Sequence, residues 1–537
     1  MKIRFLLPLV VALCFSTQLL AMPKNSNQLS DPRVRQAIAY AIDMDTIQET
    51  LLEGKAIVAD SHIPNGPFKK PGLPKYSYDP DKARQLLKAA NWDSSQELDM
   101  VYYYSDQLTV DLMTAIQAYL SDVGVKMNFR KLEGDVGAQL WTAPKDPQNG
   151  PSVVKWDLAY GAHGPLALQE YFSRYKTGEM SISPADAKLD GMIDVLTSTA
   201  DIDAQKKIFF EMEDYIQNEL FTLPLYYQQA FIYESNKVNR NGQIYGNPQY
   251  NYDWDIAKWT VEPDASGKMV MNTNTGPTEF FDHPWFNPGL FITNKVLHDR
   301  LITCDGGLAP TRPKMAKYYN LSKDAKTLIF ELRDGLQWHD GSAITAEEIQ
   351  WNIELALKVP NIMPIFKTTF SYLEGAKDFM DGSASNISGI AVNGNKITLS
   401  FAQVDPNVLL TFSQWAPLPR KYLEDVDPAK FQQHPFWQNP IGSGPYKVKE
   451  VKMNDYLVMV PFENYHEGVA RIDEIVAYPS NDNDANLVKN ALAGKLDYGF
   501  TKNVADVKSL EEMDHMRVYP ADIPYTRMIW FNKYAKN

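Results

Sequence analysis

The chain has 537 residues, of which 44% are hydrophobic and 12% are aromatic. This length can form two or three domains with cores of their own, and the composition excludes a disordered chain or a membrane-embedded protein. The formal net charge of −13 argues against nucleic acid as a partner and is ordinary for a soluble acidic protein.

The first 21 residues have the pattern of a secretory signal peptide. A basic start is followed by an apolar run from Phe5 to Phe15 and by a cleavage position after Ala21. Cleavage there leaves 51 basic against 66 acidic side chains, a formal net charge of −15. We therefore expect a soluble periplasmic protein. A lipid anchor is less favoured, because Leu13 is too bulky to precede Cys14 in a good lipoprotein box.

The predicted elements begin with three helices. Asp31-Pro32 opens the first and Asp79-Pro80 the third, each with a capping aspartate and a proline at the first position. The second is capped by Asp43 or Asp45 and ends at Gly54. Strand and helix patterns then alternate, which is typical of an α/β domain. The predicted strands and helices of this part lie at 98–104, 108–123, 126–132, 156–161, 189–196, 206–220 and 222–227.

The second half begins after a short polar segment, 262–268, which has the composition of a linker. A strand is predicted from Met269, and apolar residues alternate again from Leu328 to Leu332. Two glycine-bearing turns then flank Trp338, which we expect to be exposed. Thr345 and Glu348 have capping-box spacing at the start of a helix, and Asn-Gly at 393–394 predicts a hairpin.

The residue types give no positive support for catalysis, a cofactor or a bound metal. The eight histidines lack an H-x-x-x-H pair, and there is no G-x-S-x-G elbow or phosphate loop. Asn481 to Asp484 are interpreted as a helix-capping turn, because the glycine and glutamate of a calcium loop are missing. Cys304, alone after signal cleavage, is interpreted as a buried small residue. A glycoside hydrolase stays open, since carboxylate pairs are common in this chain.

The run from Leu328 to Ile353, LIFELRDGLQWHDGSAITAEEIQWNI, resembles the segment that identifies extracytoplasmic solute-binding proteins of family 5. These are the dipeptide and oligopeptide receptors of ABC transporters. Other parts of the chain resemble further segments of that family: DPRVRQAIAYAID at 31–43, YDPDKARQLLKAA at 78–90, PLYY at 224–227, IGSGPY at 441–446 and RIDEI at 471–475.

These segments stand in the family's cyclic order but with the two halves exchanged. The chain therefore resembles a circularly permuted member, in which 262–268 joins the former C-terminus to the former N-terminus. Domain termini usually lie near each other at the surface, so such an exchange is physically reasonable. It predicts that Asn27 to Asp31 lie close to Lys533 to Asn537.

The resemblance implies a two-lobed α/β fold of the periplasmic-binding-protein kind, type II and cluster C-like, with three domains. The ligand-binding lobe is expected at 30–228. The hinge-side domain is expected at 229–305 and 441–537, with an inserted domain at 306–440. The implied function is capture of a small oligomeric solute in the periplasm, as a monomer, and delivery to an inner-membrane ABC permease.

The resemblance also places the walls of a ligand cleft. In peptide-binding members, an aspartate of the loop after Tyr160 pairs with the ligand's α-ammonium, whereas this loop reads AYGAHGPLALQEYF at 159–172 and lacks it. Glu170 is a possible substitute, although a helix position suits it better. Because an unpaired buried ammonium is costly, we favour an oligosaccharide over a peptide. The candidate ligand-binding residues are Thr273, Asn274, Trp338, Trp415, Trp437, Tyr160, His163 and Glu170.

Three alternatives stay open. One is a peptide receptor with a displaced anchor, the second is a periplasmic glycoside hydrolase, and the third is a sensory receptor that signals to a membrane kinase. For each single tryptophan, core packing is at least as good an explanation as a sugar platform.

Overall fold

The computed structural model describes residues 27–66, 68–164, 167, 169–173, 175–179, 181–242, 251–275, 283–286, 292–479 and 486–535. The predicted signal peptide and the predicted capping turn at 481–484 lie outside these residues. Within the part of the chain that is described, no helix has the length and apolar character needed to cross a membrane.

The first half of the chain alternates helices and strands as the sequence predicts. Its elements are α1 Pro32–Ala41, α2 Met44–Thr50, β1 Ala56–Val58, α3 Pro80–Ala89, β2 Glu97–Tyr102, α4 Gln107–Asp122, β3 Lys126–Lys131, α5 Val136–Trp141, β4 Leu158–His163, α6 Glu170–Ser173, α7 Ala187–Thr197, α8 Ile202–Glu219, β5 Thr222–Ser235, β6 Val238–Asn239 and β7 Thr260–Val261. The carboxylates of Asp31 and Asp79 accept hydrogen bonds from backbone N–H groups of α1 and α3, which confirms both predicted caps.

The second half contains more short elements. They are β8 Val270–Thr275, α9 Ile292–Leu297, β9 Ile302–Cys304, β10 Pro310–Pro313, β11 Ala316–Leu321, β12 Thr327–Leu332, α10 Ala346–Lys358, α11 Pro364–Ser371, α12 Ala376–Met380, β13 Ile390–Asn393, β14 Lys396–Ser400, α13 Val408–Gln414, α14 Arg420–Leu423, β15 Tyr446–Lys452, β16 Tyr456–Pro461, β17 Glu474–Pro479, α15 Leu487–Leu492, β18 Tyr498–Thr501, α16 Val504–Glu511 and β19 Met516–Phe531. Short 3₁₀ helices occupy Gln28–Ser30, Ile256–Lys258, Pro428–Gln433 and Pro435–Gln438.

One large sheet joins the two halves of the chain. Its strand order is β15-β16-β17-β8-β18-β5-β19-β4-β2-β3, and β1 pairs with residues 226–228 of β5. The long strands β5 and β19 lie side by side in the middle of the sheet. They are antiparallel and extend from one end of the sheet to the other. A register shift between Asp522 and Thr526 bends β19 at the point where it passes from one end to the other. These two strands are therefore the physical connection between two lobes.

The first lobe contains β1 to β4 and the adjoining parts of β5 and β19. Thr526–Phe531 of β19 pair with β4, so this segment belongs to the sheet of the first lobe. The predicted boundary, which assigns 441–537 to the hinge-side domain, does not match this pairing. The reason is that β19 is one continuous strand shared by both lobes. The other domain boundaries stay predictions.

The inserted segment forms a smaller sheet, β11-β12-β14-β13, covered by α10 to α13. The hairpin predicted from Asn-Gly is present between β13 and β14, and Gly394 has the left-handed φ of +59°. Thr345 Oγ1 accepts a hydrogen bond from the N–H of Glu348 at 3.3 Å, which confirms the predicted cap of α10. Gln205 of α8 donates to the carbonyl oxygen of Pro406 at 3.2 Å, so this segment contacts the first lobe.

The two ends of the described chain lie together, as the permuted order predicts. Asn27 Nδ2 donates to the carbonyl oxygens of Asn532 at 2.6 Å and Tyr534 at 2.7 Å. The proximity is confirmed; the permutation itself stays a prediction.

Cys304 lies in β9 and is completely buried, as expected for a small core residue. Burial raises the pKa of its thiol to about 12, so the reactive thiolate is strongly disfavoured.

Candidate functional site

The carboxyl ends of strands from both lobes point at the bend of β19. In the first lobe, β4 runs antiparallel to β19 with His163 opposite Thr526, and β2 runs parallel to β4. In the other lobe, β18 runs antiparallel to β5 with Thr501 opposite Phe231, and β8 runs parallel to β18. Ligands of open α/β sheets bind outside the carboxyl ends of the strands. We call the region around this bend, between the two lobes, the crevice.

Four tyrosines lie at the first-lobe side of the crevice, Tyr103 and Tyr104 partly exposed and Tyr160 and Tyr226 buried in the core. Tyr103 and Tyr104 follow β2, and their hydroxyl oxygens lie 3.0 Å apart. The hydroxyl oxygens of Tyr160 in β4 and Tyr226 in β5 are also 3.0 Å apart. Burial raises the pKa of Tyr104 and of Tyr160 above the usual value, so both hydroxyls keep their protons at neutral pH.

Arg527 of β19 lies among these rings. Its Cζ is 4.0 Å from the ring centroid of Tyr104, 5.5 Å from that of Tyr525 and 5.9 Å from that of Tyr160. Its Nε donates to Gln228 Oε1 at 2.9 Å. Nη1 is buried and has no hydrogen-bond partner among the described residues. The guanidinium is therefore held by aromatic faces and a neutral amide.

Lys502 supplies a second cation from the opposite lobe. Lys502 follows β18, and its Nζ lies 5.5 Å from the ring centroid of Tyr525. Arg527 Cζ lies at the same distance from this ring. No ion pair within the described part of the chain involves either cation. Each lobe thus contributes one cation to the crevice.

Five of the predicted ligand-binding residues lie in or beside the crevice. Tyr160 belongs to the tyrosine group, and the ring of His163 at the end of β4 lies 4.4 Å from that of Tyr171. Thr273 is buried near the end of β8, and Asn274 packs so closely on Gly499 that an added Cβ there would lie 2.4 Å from Asn274 Oδ1. Glu170 is half-buried and begins α6, the helix position that its sequence context favoured.

The three predicted tryptophans lie elsewhere, in the core of the inserted segment. The expectation that Trp338 is exposed is wrong: its side chain folds back into the turn, only 1% of the residue is exposed, and Nε1 donates to Glu348 Oε2 at 3.0 Å. Trp415 is fully buried and packs on Trp285, with a centroid separation of 6.1 Å. Trp437 is also fully buried. Core packing accounts for all three positions, and their predicted ligand contacts stay predictions without geometric support.

A cavity of about 220 Å³ lies where the first lobe meets the inserted segment. Ile202 and Gln205 of α8 form one wall, and Leu308, Val408 and Leu410 form the other. Its surface is mainly apolar, so it suits an apolar side chain better than a sugar ring with its hydroxyl groups.

Sequence reasoning missed Arg527 and Lys502. The available signal was the segment PYTRMIWF at 524–531, where one arginine interrupts an otherwise uncharged strand. Such a residue in a buried strand requires a partner or a function.

The chain is similar to known solute-binding proteins. The family model described as "Bacterial extracellular solute-binding proteins, family 5 Middle" matches residues 11–175 and 311–537. The oligopeptide-binding protein OppA of Lactococcus lactis is 25% identical over 252 residues, which cover 45% of this chain and 40% of OppA. A putative ABC transporter peptide-binding protein of Brucella ovis is 37% identical over 106 residues, covering 18% and 19% of the two chains.

A third relative binds a metal according to its name. The nickel-binding protein NikA of Staphylococcus aureus is 24% identical over 219 residues, which cover 41% of this chain and 39% of NikA. The matched segments thus span less than half the length of each of these relatives. Among solved structures, lactococcal OppA with an endogenous peptide in the closed conformation aligns with a TM-score of 0.35 and 22% identity, covering 42% of this chain and 44% of OppA.

The family model matches well over half of the chain, including the strands β2, β4 and β19 that form the first-lobe side of the crevice. The chain belongs to the bacterial extracellular solute-binding proteins, family 5.

Proposed function

We propose that this protein captures a peptide outside the cytoplasm and delivers it to an ABC permease of the inner membrane. The observation that carries this proposal is the crevice at the bend of β19, which lies between two lobes joined by β5 and β19 in a chain of this family. Two connecting strands allow the lobes to rotate about the bend and to enclose a solute between them.

The peptide class is supported by the relatives and by the chemistry of the crevice. OppA and the Brucella protein are named as oligopeptide- and peptide-binding proteins. The preference for an oligosaccharide, argued from the missing loop aspartate and from the tryptophans, finds no support among these relatives. Trp338, Trp415 and Trp437 are packed in the core, and the crevice presents the partly exposed cations Arg527 and Lys502. Cations favour a charged ligand over a neutral sugar.

The role outside the cytoplasm agrees with the family description and with the signal-like pattern of the first 21 residues. Export through that segment is part of the proposal. Cell fractionation tests it: the protein should be recovered with the periplasmic fraction and be shorter than the full translation product by about the predicted signal peptide. Recovery of the uncut chain in the cytoplasm would contradict export.

A thermal-shift screen of the signal-free protein tests the ligand class. The three panels are short peptides, neutral oligosaccharides, and nickel with and without small chelators. A ligand at a hundredfold excess over its dissociation constant adds about 2.7 kcal/mol of apparent stability, which a melting curve detects readily. We expect a shift with peptides. A shift with sugars or nickel alone would overturn the peptide assignment and leave the solute-binding role intact.

The exchanged order of the two halves is a second proposal, supported by the hydrogen bonds between Asn27 and the residues Asn532 and Tyr534. A rearranged chain tests it. This chain begins at 269, runs to 535, continues directly into residue 27 and ends at 262. It should melt cooperatively near the temperature of the parent chain. An unfolded product would contradict the proposal.

A further inference from the structure

We propose that the crevice holds its solute by a carboxylate group, which binds the guanidinium of Arg527. This inference rests on the proposed function and adds the charge that the ligand must carry. It assigns the role of ligand anchor to a residue of the bent strand, and it makes the C-terminal carboxylate of a peptide the group that enters first.

The guanidinium of Arg527 is incompletely coordinated. A guanidinium has five N–H donors, and a buried one is costly unless those donors and its charge are satisfied. Nε is used by Gln228 at 2.9 Å, whereas Nη1 is buried without a partner among the described residues. The groups that interact most strongly with the charge are tyrosines, and none of them is an anion at neutral pH. A positive charge therefore remains for a ligand to neutralise.

The neighbours of the Arg527 guanidinium fix its orientation. Gln228 fixes the plane of the guanidinium through Nε, and the Tyr104 ring, 4.0 Å from Cζ, covers one face. A planar group held in this way offers its Nη side to a carboxylate, which accepts parallel hydrogen bonds from arginine. Among the described residues no carboxylate forms an ion pair with Arg527, and Asp522 at the bend accepts from Gln229 Nε2 at 2.9 Å instead.

The opposite lobe contributes a second cation, Lys502. Lys502 Nζ and Arg527 Cζ lie at equal distances, 5.5 Å, from the Tyr525 ring, and they belong to different lobes. Without a ligand, the two cations repel each other across the crevice and oppose closure. A bound carboxylate is attracted to both, so it replaces a repulsion between the lobes with two attractions. Binding and closure are coupled by this exchange.

The experiment uses two equimolar tripeptide libraries of the same composition, one with free C-terminal carboxylates and one with C-terminal amides. We expect the free-acid library to raise the melting temperature of the signal-free protein and the amide library to have little effect. Equal shifts with the two libraries would overturn the anchor role of Arg527 and support the proposed peptide function. No shift with either library would overturn the peptide function, and this inference would fall with it.

Variants then locate the carboxylate. For the free-acid peptide with the highest affinity, calorimetric titration of Arg527→Gln should show a loss of about 100-fold in affinity, because a desolvated charge pair is replaced by a neutral contact. Arg527→Lys should keep part of the binding, since it retains the charge and loses the fork geometry.

The matched control is Arg130→Gln, in the same lobe, which removes a half-exposed arginine paired with Asp99 at 2.9 Å. Its affinity should equal that of the parent protein. Unchanged affinity in Arg527→Gln would contradict the inference. If Arg527→Gln does not fold, the comparison of acid and amide on the parent protein decides the question alone.

Discussion

Two regions of this molecule differ in whether their cations form ion pairs with carboxylates. Where the hinge-side domain meets the inserted segment, Arg312 donates to Asp253 at 2.8 Å, to Asp255 at 3.0 Å and to Glu467 at 2.9 Å, and Lys314 also pairs with Glu467. Burial alone would lower the pKa of Arg312, but the three carboxylates raise it. The charge there is neutralised within the protein.

No carboxylate among the described residues pairs with the two crevice cations in this way. Arg527 contacts a neutral amide and tyrosine rings, and Lys502 lies beside the same Tyr525 ring. Because both regions belong to the same acidic chain, a shortage of carboxylates does not explain the difference. We infer that the paired cations stabilise the fold, whereas the unpaired cations bind a ligand.

The largest expected effect concerns a buried carboxylate that lacks a paired cation. Glu213 of α8 accepts from Ser61 Oγ at 2.6 Å and from the N–H of Lys70 at 2.7 Å. Burial raises its pKa to about 7, so this side chain can become neutral, which an arginine cannot do. Between pH 4.5 and 7 the folded state holds a proton that the unfolded state has released. Stability should therefore fall as the pH rises through this window, by about 3 kcal/mol.

Glu213→Gln should remove that part of the pH dependence, as measured by urea unfolding at several pH values. The matched control is Glu211→Gln, an exposed position on the same helix, which should leave the pH profile of the parent protein unchanged. An identical pH profile in Glu213→Gln and in the parent protein would show that the carboxyl is ionised in the fold.

Arg312→Gln tests the paired region. The substitution leaves three carboxylates without their shared cation, so we expect a loss of about 2 kcal/mol in the free energy of unfolding. Peptide affinity should not change. Arg84→Gln, which removes an exposed pair with Asp81, is the control and should cost less than about 0.5 kcal/mol. Loss of affinity without loss of stability would reverse the assignment of the two regions.

Lys502→Gln tests the smaller contribution of the second crevice cation. Because this side chain is partly exposed, water and salt screen its charge, and we expect a loss of only about threefold in affinity for a free-acid peptide. The loss should shrink as the salt concentration rises, which titrations at low and high ionic strength would show. A loss as large as that of Arg527→Gln would mean that Lys502 is the main anchor.

The smallest effect is expected for the ligand-free stability of Arg527→Gln. No ion pair is lost, so the free energy of unfolding without ligand should stay within about 0.5 kcal/mol of the parent value or increase. Chemical unfolding of the ligand-free protein measures it. A loss comparable to that of Arg312→Gln would indicate that Arg527 has a structural role, and the contrast between the two regions would disappear.

Local elements were predictable because their causes lie within a few residues. The caps at Asp31, Asp79 and Thr345 and the Asn-Gly hairpin at Gly394 depend on side chains and backbone angles close in sequence. The order of helices and strands in the first lobe follows from hydrophobic periodicity. The proximity of Asn27 and Tyr534 was also predictable, because the sequence segments kept their cyclic order.

The crevice was not predictable to the same degree. Tyr104, Tyr525 and Arg527 come together only because β19 lies beside β4 and β4 beside β2, and no local pattern determines that strand order. The prediction that Trp338 is exposed failed for a related reason. A turn rich in polar residues indicates exposure, but the side chain of Trp338 folds back and donates to Glu348. Tyr160 and His163 were predicted because the resemblance places the loop after β4 at the ligand, and their ligand contacts stay predictions.

The most direct measurement is identification of the molecule that the native protein carries. The protein would be purified from cells without denaturation, the bound molecules released by acid, and the extract analysed by mass spectrometry beside an extract from Arg527→Gln. We expect peptides with free C-terminal carboxylates in the parent extract and their loss from the variant. A neutral oligosaccharide in the parent extract, or the same peptides in equal amounts from both proteins, would contradict it.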